Sequence, residues 1–442
     1  SPRAASQDFD VIEIDPAADP EAAARAFRGR PDVEYAQAAY RVQAELVPND
    51  KFYSTQWNLP FINMETGWDI QPAAGSAITV AVVDTGIAFT PATLQFHAGA
   101  FTVDSSGNIG PPGSGGTAYP ALGDITLQFV AATELQPLTR FVAPHDFIWN
   151  DAMPLDFSGH GTHVSGTIGQ LTNNAASGLG DVANGGGTAG VAFNVKLMPV
   201  KVISTEWDDI FGSPNGGTDD VVALGIRYAA DNGAQVINMS IGRTGPSNCT
   251  TNRNQDGCAP ALEDAIKYAV GKGCFVAIAA GNSFPDGNPT EVIAEIAASV
   301  PGAVSVAAVN KVKEHTFYST TGTYVELAAP GGEFGSFGGP GGILQQTLDL
   351  TLTETFTSSP SQYRAPRFDA LRYFFFIGTS QATPHVSGLA AMLMQQGITS
   401  PAAIEAALER FAVDLGPAGR DPTFGFGLVD AKATLRGLGL AK

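Results

Sequence analysis

Charge is scarce in this chain, and positive charge is scarcer. Asp, Glu, Lys and Arg make up 15% of its 442 residues, against about 25% in a typical soluble domain. Lys and Arg number 24 against 43 Asp and Glu, a net charge of −19. Such a field repels phosphate backbones and anionic lipid, so neither nucleic acid nor a membrane is an expected partner. Long apolar runs are missing too: none approaches the roughly 18 residues that a membrane helix needs. The opening SPRAASQDFD has no basic stretch followed by an apolar one, so any export signal is expected to have been removed. Cysteine is limited to three residues. Cys249 and Cys258 bracket the polar TTNRNQDG and are expected to staple it as a disulfide, which fits an oxidising, extracellular compartment. Cys274, inside the apolar GCFVAIAA, reads as a buried free thiol.

The remaining composition is that of a globular protein, with 44% apolar residues to build a core. An Ala-rich N-terminal block differs in texture from the rest of the chain. FDVIEI (9–14) reads as a strand, PEAAARAF (20–27) as a helix capped by Asp19 with Pro20 in its first turn, and VEYAQAAYRV (33–42) as a second strand. VPND (47–50) reads as a linker. From Ile78 onward, near-continuous apolar runs recur at 78–84, 196–203, 234–241, 274–280 and 303–309. Between them, 219–233 and 260–273 carry apolar residues at helical spacing and end in Gly. Strands buried on both faces and alternating with helices predict an α/β fold: a doubly wound, mostly parallel sheet with helices on both faces. Ligand sites in such sheets gather at the carboxyl ends of strands. Two long segments, 88–145 and 331–374, break the rhythm as insertions.

Candidate chemistry falls at those strand ends. Asp84 closes the run AVVD before a Thr-Gly turn, a rigid place for an orienting carboxylate. His160 lies in SGHGTHVSGTIG, between glycines that let the backbone crowd close. His163 forms no metal-ligand pattern with it and reads as a structural, hydrogen-bonded histidine. Ser380 lies in GTSQATPHVSG, where Pro384 suits the first turn of a helix that puts Ser380 at its N-terminus. Asn282 ends VAIAAGN and is suited to donate a hydrogen bond to a developing oxyanion.

VAVVDTGI, SGHGTHVSGTIG, VINMSIG, VAIAAGN and GTSQATPHVSG together resemble the five signature blocks of the subtilisin-like serine proteases, in the family's order Asp, His, Ser. The resemblance is closest to thermitase-like secreted members and covers roughly 48–442. It implies a catalytic triad of Asp84, His160 and Ser380, with Asn282 as oxyanion donor. Ser240, Ile241 and Gly242 would pair with an extended substrate, and Ala279, Ala280 and Gly281 would line the other wall of the primary pocket. Counting back from VPGAV, Glu295 falls near the pocket floor, where a carboxylate favours basic substrate side chains. Gln381 follows the nucleophile where most members carry Met.

Structural calcium, and no catalytic metal, is implied. One site would use Asp146 and Asp151 with Asp156 and the Asn150 side chain. A second would use Asp50, Asn174 and backbone carbonyls; its usual second carboxylate corresponds to Thr93, with Asp104 as a replacement from the insertion. Residues 1–43 resemble the second half of a propeptide, either a remnant with cleavage expected between Arg41 and Asp50 or an N-terminal extension kept by the mature enzyme, and 44–442 would form the catalytic domain. The expected protein is a secreted, monomeric endopeptidase, made as a zymogen, whose partners are polypeptide substrates and its own propeptide. An exo-acting member with one end of the cleft closed is a second reading. A non-catalytic binding protein is a third, opposed by the presence of all four chemical residues.

Overall fold

Thr79–Asp84 forms strand β1, and every one of its residues is buried. Its alternate side chains serve two different cores. Val80 and Val82 join one cluster with Val164, Ile168, Val386 and Leu389, while Ala81 and Val83 join another with Val222, Ile226, Leu262 and Ile266. A strand covered on both faces has no polar side to alternate with, which explains the continuous apolar run. The other strands of the central sheet are β2 (His145–Asp146), β3 (Lys196–Lys201), β4 (Val236–Met239), β5 (Phe275–Ala279), β6 (Ala303–Val309) and β7 (Leu327–Pro330). Their order is β7-β6-β5-β4-β1-β3-β2, and each pairing is parallel. β1 thus stands between β3 and β4, where the winding reverses, and Asp84 lies at its carboxyl end.

This computed structural model describes residues 10–15, 19–38, 46–106, 108–174, 187–353 and 363–436. The chain divides into two compact units, Ser1–Glu45 and Leu46–Lys442. In the first, helix α1 spans Pro20–Arg28, with the Asp19 side chain accepting from the Glu21 N–H as the cap. The flanking strands expected at 9–14 and 33–42 do not form in their described parts: 10–15 and 33–38 have no strand pairing. A short alternating run becomes a strand only where a partner edge accepts its hydrogen bonds. Residues 9 and 39–42 lie outside the described residues.

In the larger unit, α2 (His160–Gly169), α3 (Asp219–Asp231), α4 (Pro260–Gly271) and α5 (Thr379–Gln395) flank the sheet. Both insertions fold into sheets of their own. Ala92–Ala98 pairs antiparallel with Gly123–Phe129, and Phe101–Val103 lies between Ile109–Gly110 and Thr117–Tyr119. Ile343–Leu348 pairs antiparallel with Leu371–Phe376. The insertions meet where Phe129 stacks on Phe368 at 5.0 Å and the Val130 N–H donates to the Phe368 carbonyl. The second hairpin also seats α2, because His163 Nε2 lies 3.1 Å from the Ile343 carbonyl and 3.2 Å from that of Phe374. Burial drives the His163 pKa down to about 3, against the smaller pull of those carbonyls, which keeps the ring neutral in its structural place.

Candidate active site

The turn after β1 and the start of α2 approach closely enough to exclude a side chain. A Cβ on Gly161 would meet the Gly86 carbonyl oxygen at 2.1 Å and Asp84 Oδ1 at 3.1 Å. That approach brings His160 Nδ1 to 2.7 Å from Asp84 Oδ1, which also accepts the Thr85 N–H at 2.7 Å. Asp84 is fully buried and its Oδ2 has no hydrogen-bond partner among the described residues. With Nδ1 committed to a carboxylate, Nε2 is left as the basic nitrogen. Burial opposes a charge on His160, but the charge and hydrogen bond of Asp84, with the charge of Asp156, outweigh it and raise the ring above its ordinary pKa.

Asp156 is not free to bind a metal. Its Oδ1 accepts from the Thr85 hydroxyl and the Ser158 and Gly159 N–H groups, and its Oδ2 from the Thr162 N–H and hydroxyl. It holds the N-terminus of α2, where a carboxylate also favours the helix dipole.

Ser380 is the second residue of α5, in the first turn, where backbone N–H groups have no helical acceptor. Pro384 stands one turn deeper than the first-turn place expected of it. Having no N–H, it leaves the Ser380 carbonyl without its usual donor. The Ser240 hydroxyl donates there instead, at 2.8 Å, and Ser380 Oγ donates to the Ser240 carbonyl at 2.9 Å. The nucleophile candidate is thereby tied to the end of β4. Asn282 follows β5. Its Oδ1 accepts both the N–H and the hydroxyl of Thr379, at 2.9 and 3.0 Å, which fixes the amide with its NH₂ on the other side. A single point, the place a Cβ on Gly378 would take, lies 3.6 Å from both Asn282 Nδ2 and the Ser380 nitrogen. Two donors near one point next to a helix-terminal serine suit the oxyanion of acyl transfer.

The Subtilase family pattern matches residues 75–427. The chain belongs to the subtilase family. It is 29% identical over 390 residues to the "Thermophilic serine proteinase" of Bacillus sp. (strain AK1), spanning 88% of this chain and 69% of that one. It is 29% identical over 366 residues to "Thermitase" of Thermoactinomyces vulgaris, spanning 83% and 91%. Among solved structures, "Proteases from Pseudoalteromonas arctica PAMC 21717" match with a TM-score of 0.59 at 26% identity, covering 89% of this chain and 99% of that one. This subtilase is a serine endopeptidase.

In this subtilase Ser240, Ile241 and Gly242 follow β4, and Ala279, Ala280 and Gly281 lie at the end of β5, two neighbouring strands. Glu295 does not lie on the pocket floor that counting back from VPGAV suggests. It sits in the short helix Val292–Ala297, and its carboxylate accepts the N–H groups of Asn248 and Cys249 at 2.8 and 3.1 Å. It therefore anchors the loop closed by the Cys249–Cys258 disulfide. Glu291, in the short strand just before that helix, lies against Gly242 and Gly281 instead. Cys274 is a buried free thiol whose Sγ lies 3.0 Å from the Ala234 carbonyl.

The expected calcium residues separate into two cases. Asp146 and Asp151 are bridged through their backbones, but the carboxylates of Asp146, Asp151 and Asp156 form no three-ligand cluster among the described residues. Asp146 Oδ1 is taken by the Ile148 and Trp149 N–H groups, Asp151 is exposed and accepts the Met153 N–H, and Asp156 caps α2. A buried ammonium already stands in this region: Lys201 pairs with Asp208 at 2.7 Å, both fully buried, and its charge acts on Asp146. Among the described residues, the three carboxylates whose oxygens lie within 4.8 Å of one another are Glu326, Glu405 and Glu409.

Asp50 and Asn174 do come together. The Asp50 Oδ2 accepts the Asn173 N–H at 2.9 Å, and both Asp50 and Asn174 are buried. The carboxylate beside Asn174 is Glu134, not Asp104. Asp104 is exposed and bonded to Ser106 and Asn108, whereas Glu134 is fully buried and its Oε2 accepts from Asn174 Nδ2 at 2.9 Å. The buried Asp50 Oδ1 has no hydrogen-bond partner among the described residues. Two buried carboxylates beside an amide oxygen, one oxygen still unmatched, fit a hard cation such as calcium. Burial raises the Asp50 carboxyl against the backbone N–H groups that favour its charge.

Proposed function

We infer that this subtilase is a secreted, calcium-stabilised endopeptidase that cleaves extended polypeptides through an acyl-enzyme on Ser380. The observation that carries the assignment is the 2.7 Å bond from His160 Nδ1 to the buried Asp84, which fixes the tautomer a general base needs. Rotation about Cα–Cβ turns Ser380 Oγ from the Ser240 carbonyl toward His160. Oγ attacks the scissile carbonyl carbon as Nε2 takes its proton, and Asp84 stabilises the imidazolium. Asn282 Nδ2 and the Ser380 N–H hold the oxyanion. His160 then passes the proton to the leaving amine, and a water repeats the sequence to release the acid and free Ser380. Backbone pairing along Ser240–Gly242 supplies affinity for extended chains.

A fluorophosphonate probe tests this directly. One probe should attach per chain and be recovered on the peptide containing Ser380. Recovery on another residue, or no labelling of folded protein, overturns the assignment.

Secretion is supported by the stapled loop at Cys249–Cys258 and by the resemblance to proteins named as extracellular proteases, such as that of Xanthomonas campestris pv. campestris, of which the chain spans 62%. Among the described residues, no helix is long and apolar enough to cross a membrane. Residues 1–43, which carry the capped helix, are read as propeptide-derived or as an N-terminal extension, and 44–442 as the catalytic domain.

The calcium site predicts a stability effect. A cation at a hundred times its Kd adds about 2.7 kcal/mol to the folded state. Chelation of the probe-inhibited enzyme, in which autolysis is blocked, should therefore lower Tm. Glu134→Gln should lower Tm in calcium and shrink the effect of chelator. Equal Tm with and without chelator in the unsubstituted protein would sink the site.

A further inference from the structure

One buried carboxylate beside the cleft has no use in the triad chemistry. Glu291 is only 3% exposed, and its Oε2 has no hydrogen-bond partner among the described residues. Its Oε1 has the Ser283 hydroxyl at a long 3.4 Å. The backbone of Glu291 pairs with Thr244 in a two-stranded ladder just past Gly242, which brings the side chain back toward the cleft. The side chain then lies between the two walls. A Cβ on Gly281 would fall 2.2 Å from Glu291 Cγ and 2.3 Å from its Oε1, and a Cβ on Gly242 would fall 3.0 Å from its Oε2. Both walls are glycine where this carboxylate stands, and no larger residue leaves it room.

No cation among the described residues serves it. Among the described residues, the nearby Arg243 is paired to Asp219 at 2.6 Å and Arg253 to Asp264 at 2.8 Å, and Glu291 forms no ion pair. Burying an ionised carboxylate without a partner costs several kcal/mol, so a cation brought to this group from outside would recover much of that cost. Burial raises the Glu291 carboxyl above its ordinary range, opposed by the Ser283 hydroxyl alone. Glu295 differs, since its two oxygens are spent on backbone N–H groups.

We propose that Glu291 is the specificity-determining residue of this protease, accepting the ammonium or guanidinium of a lysine or arginine on the acyl side of the cleaved bond. The role rests on the proposed protease function and on Ser240–Gly242 and Ala279–Gly281 being the walls of its primary pocket, as the family resemblance implies. The substrate class is therefore polypeptide cut after basic residues.

The test compares matched peptides that differ only in carrying Lys, Arg, Leu or Ala at that residue, with benzamidine as a small cationic probe of the pocket. Losing one partner of a buried charge pair carries a large penalty, so Glu291→Gln should lower kcat/KM on the Lys and Arg peptides about 10- to 100-fold. Most of that loss should appear in KM. The Leu peptide should be unaffected or improved, and competitive inhibition by benzamidine should disappear. Fluorophosphonate labelling of the variant checks that the machinery is intact. Equal turnover of Lys and Leu peptides by the unsubstituted enzyme, unchanged in Glu291→Gln, overturns the proposal while leaving the protease assignment standing. So does a preference for Ala, which means that the carboxylate fills the pocket. Absence of labelling and of turnover on every peptide overturns the protease assignment itself.

Discussion

Asp84→Asn should lower kcat about 10⁴-fold at neutral pH, with KM little changed; the magnitude is carried over from the same substitution in a chymotrypsin-type triad. The geometry explains why a near-isosteric change costs so much. Asp84 Oδ1 serves two donors at once, the Thr85 N–H and His160 Nδ1, while Oδ2 is buried without a partner among the described residues. An Asn that keeps its oxygen at Oδ1 preserves both bonds but places an NH₂ where nothing accepts it and removes the charge that stabilises the imidazolium. An Asn turned the other way points donors at donors and favours the wrong tautomer of His160. Neither orientation restores the base. The pH dependence carries a second signature. Asp84 and Asp156 hold the His160 pKa above its ordinary value against burial, so the acid limb of kcat/KM, where protonation removes the base, lies above an ordinary imidazole titration. Removing the Asp84 charge lowers that pKa, and the limb of the residual activity should move to lower pH. A kcat within tenfold of the unsubstituted enzyme, at unchanged Tm, would rule out Asp84 as the orienting carboxylate.

Asp84 was also among the most legible residues, for a physical reason. A strand buried on both faces writes an unbroken apolar run, so the polar residue that ends it stands out. The same logic placed Asn282 after β5 and Ser240 after β4. What the sequence did not show was contact between distant segments. Glu291 and Glu295 differ by one helical turn, and which of them faces the cleft depends on how 283–290 turn back to pair Glu291 with Thr244; counting residues from VPGAV cannot include that. Glu134 was hidden because it lies in an aperiodic insertion, and its partner Asn174 is distant in the chain. Asp156 looked like a metal ligand because closely spaced acids suit calcium, yet donors around the start of α2 claim both of its oxygens. The expected strands at 9–14 and 33–42 show the opposite error: an alternating pattern without a partner edge.

Gly378→Ala should lower kcat by about 10² to 10³, the usual cost of losing an oxyanion donor, without touching a triad residue. The added methyl carbon would stand 3.6 Å from Asn282 Nδ2 and from the Ser380 nitrogen. A methyl there crowds the space in which an oxyanion would approach both donors to about 2.7–3.1 Å. Gly378 also has φ of +149°, a region that side-chain-bearing residues enter at a cost of about 1–3 kcal/mol, so a modest fall in Tm accompanies the change. Gln381 Oε1, 2.9 Å from the new methyl, is the flexible end of a side chain and can yield; the two donors are fixed, one by the helix and one by Thr379. Asn282→Ala should cost a similar factor, because it removes one of the same two bonds. Combining the two substitutions should cost less than the product of the single effects, since a hole already blocked has little left to lose. Fully multiplicative losses, or a Gly378→Ala enzyme with unchanged kcat, would place the oxyanion somewhere other than between Asn282 and the start of α5.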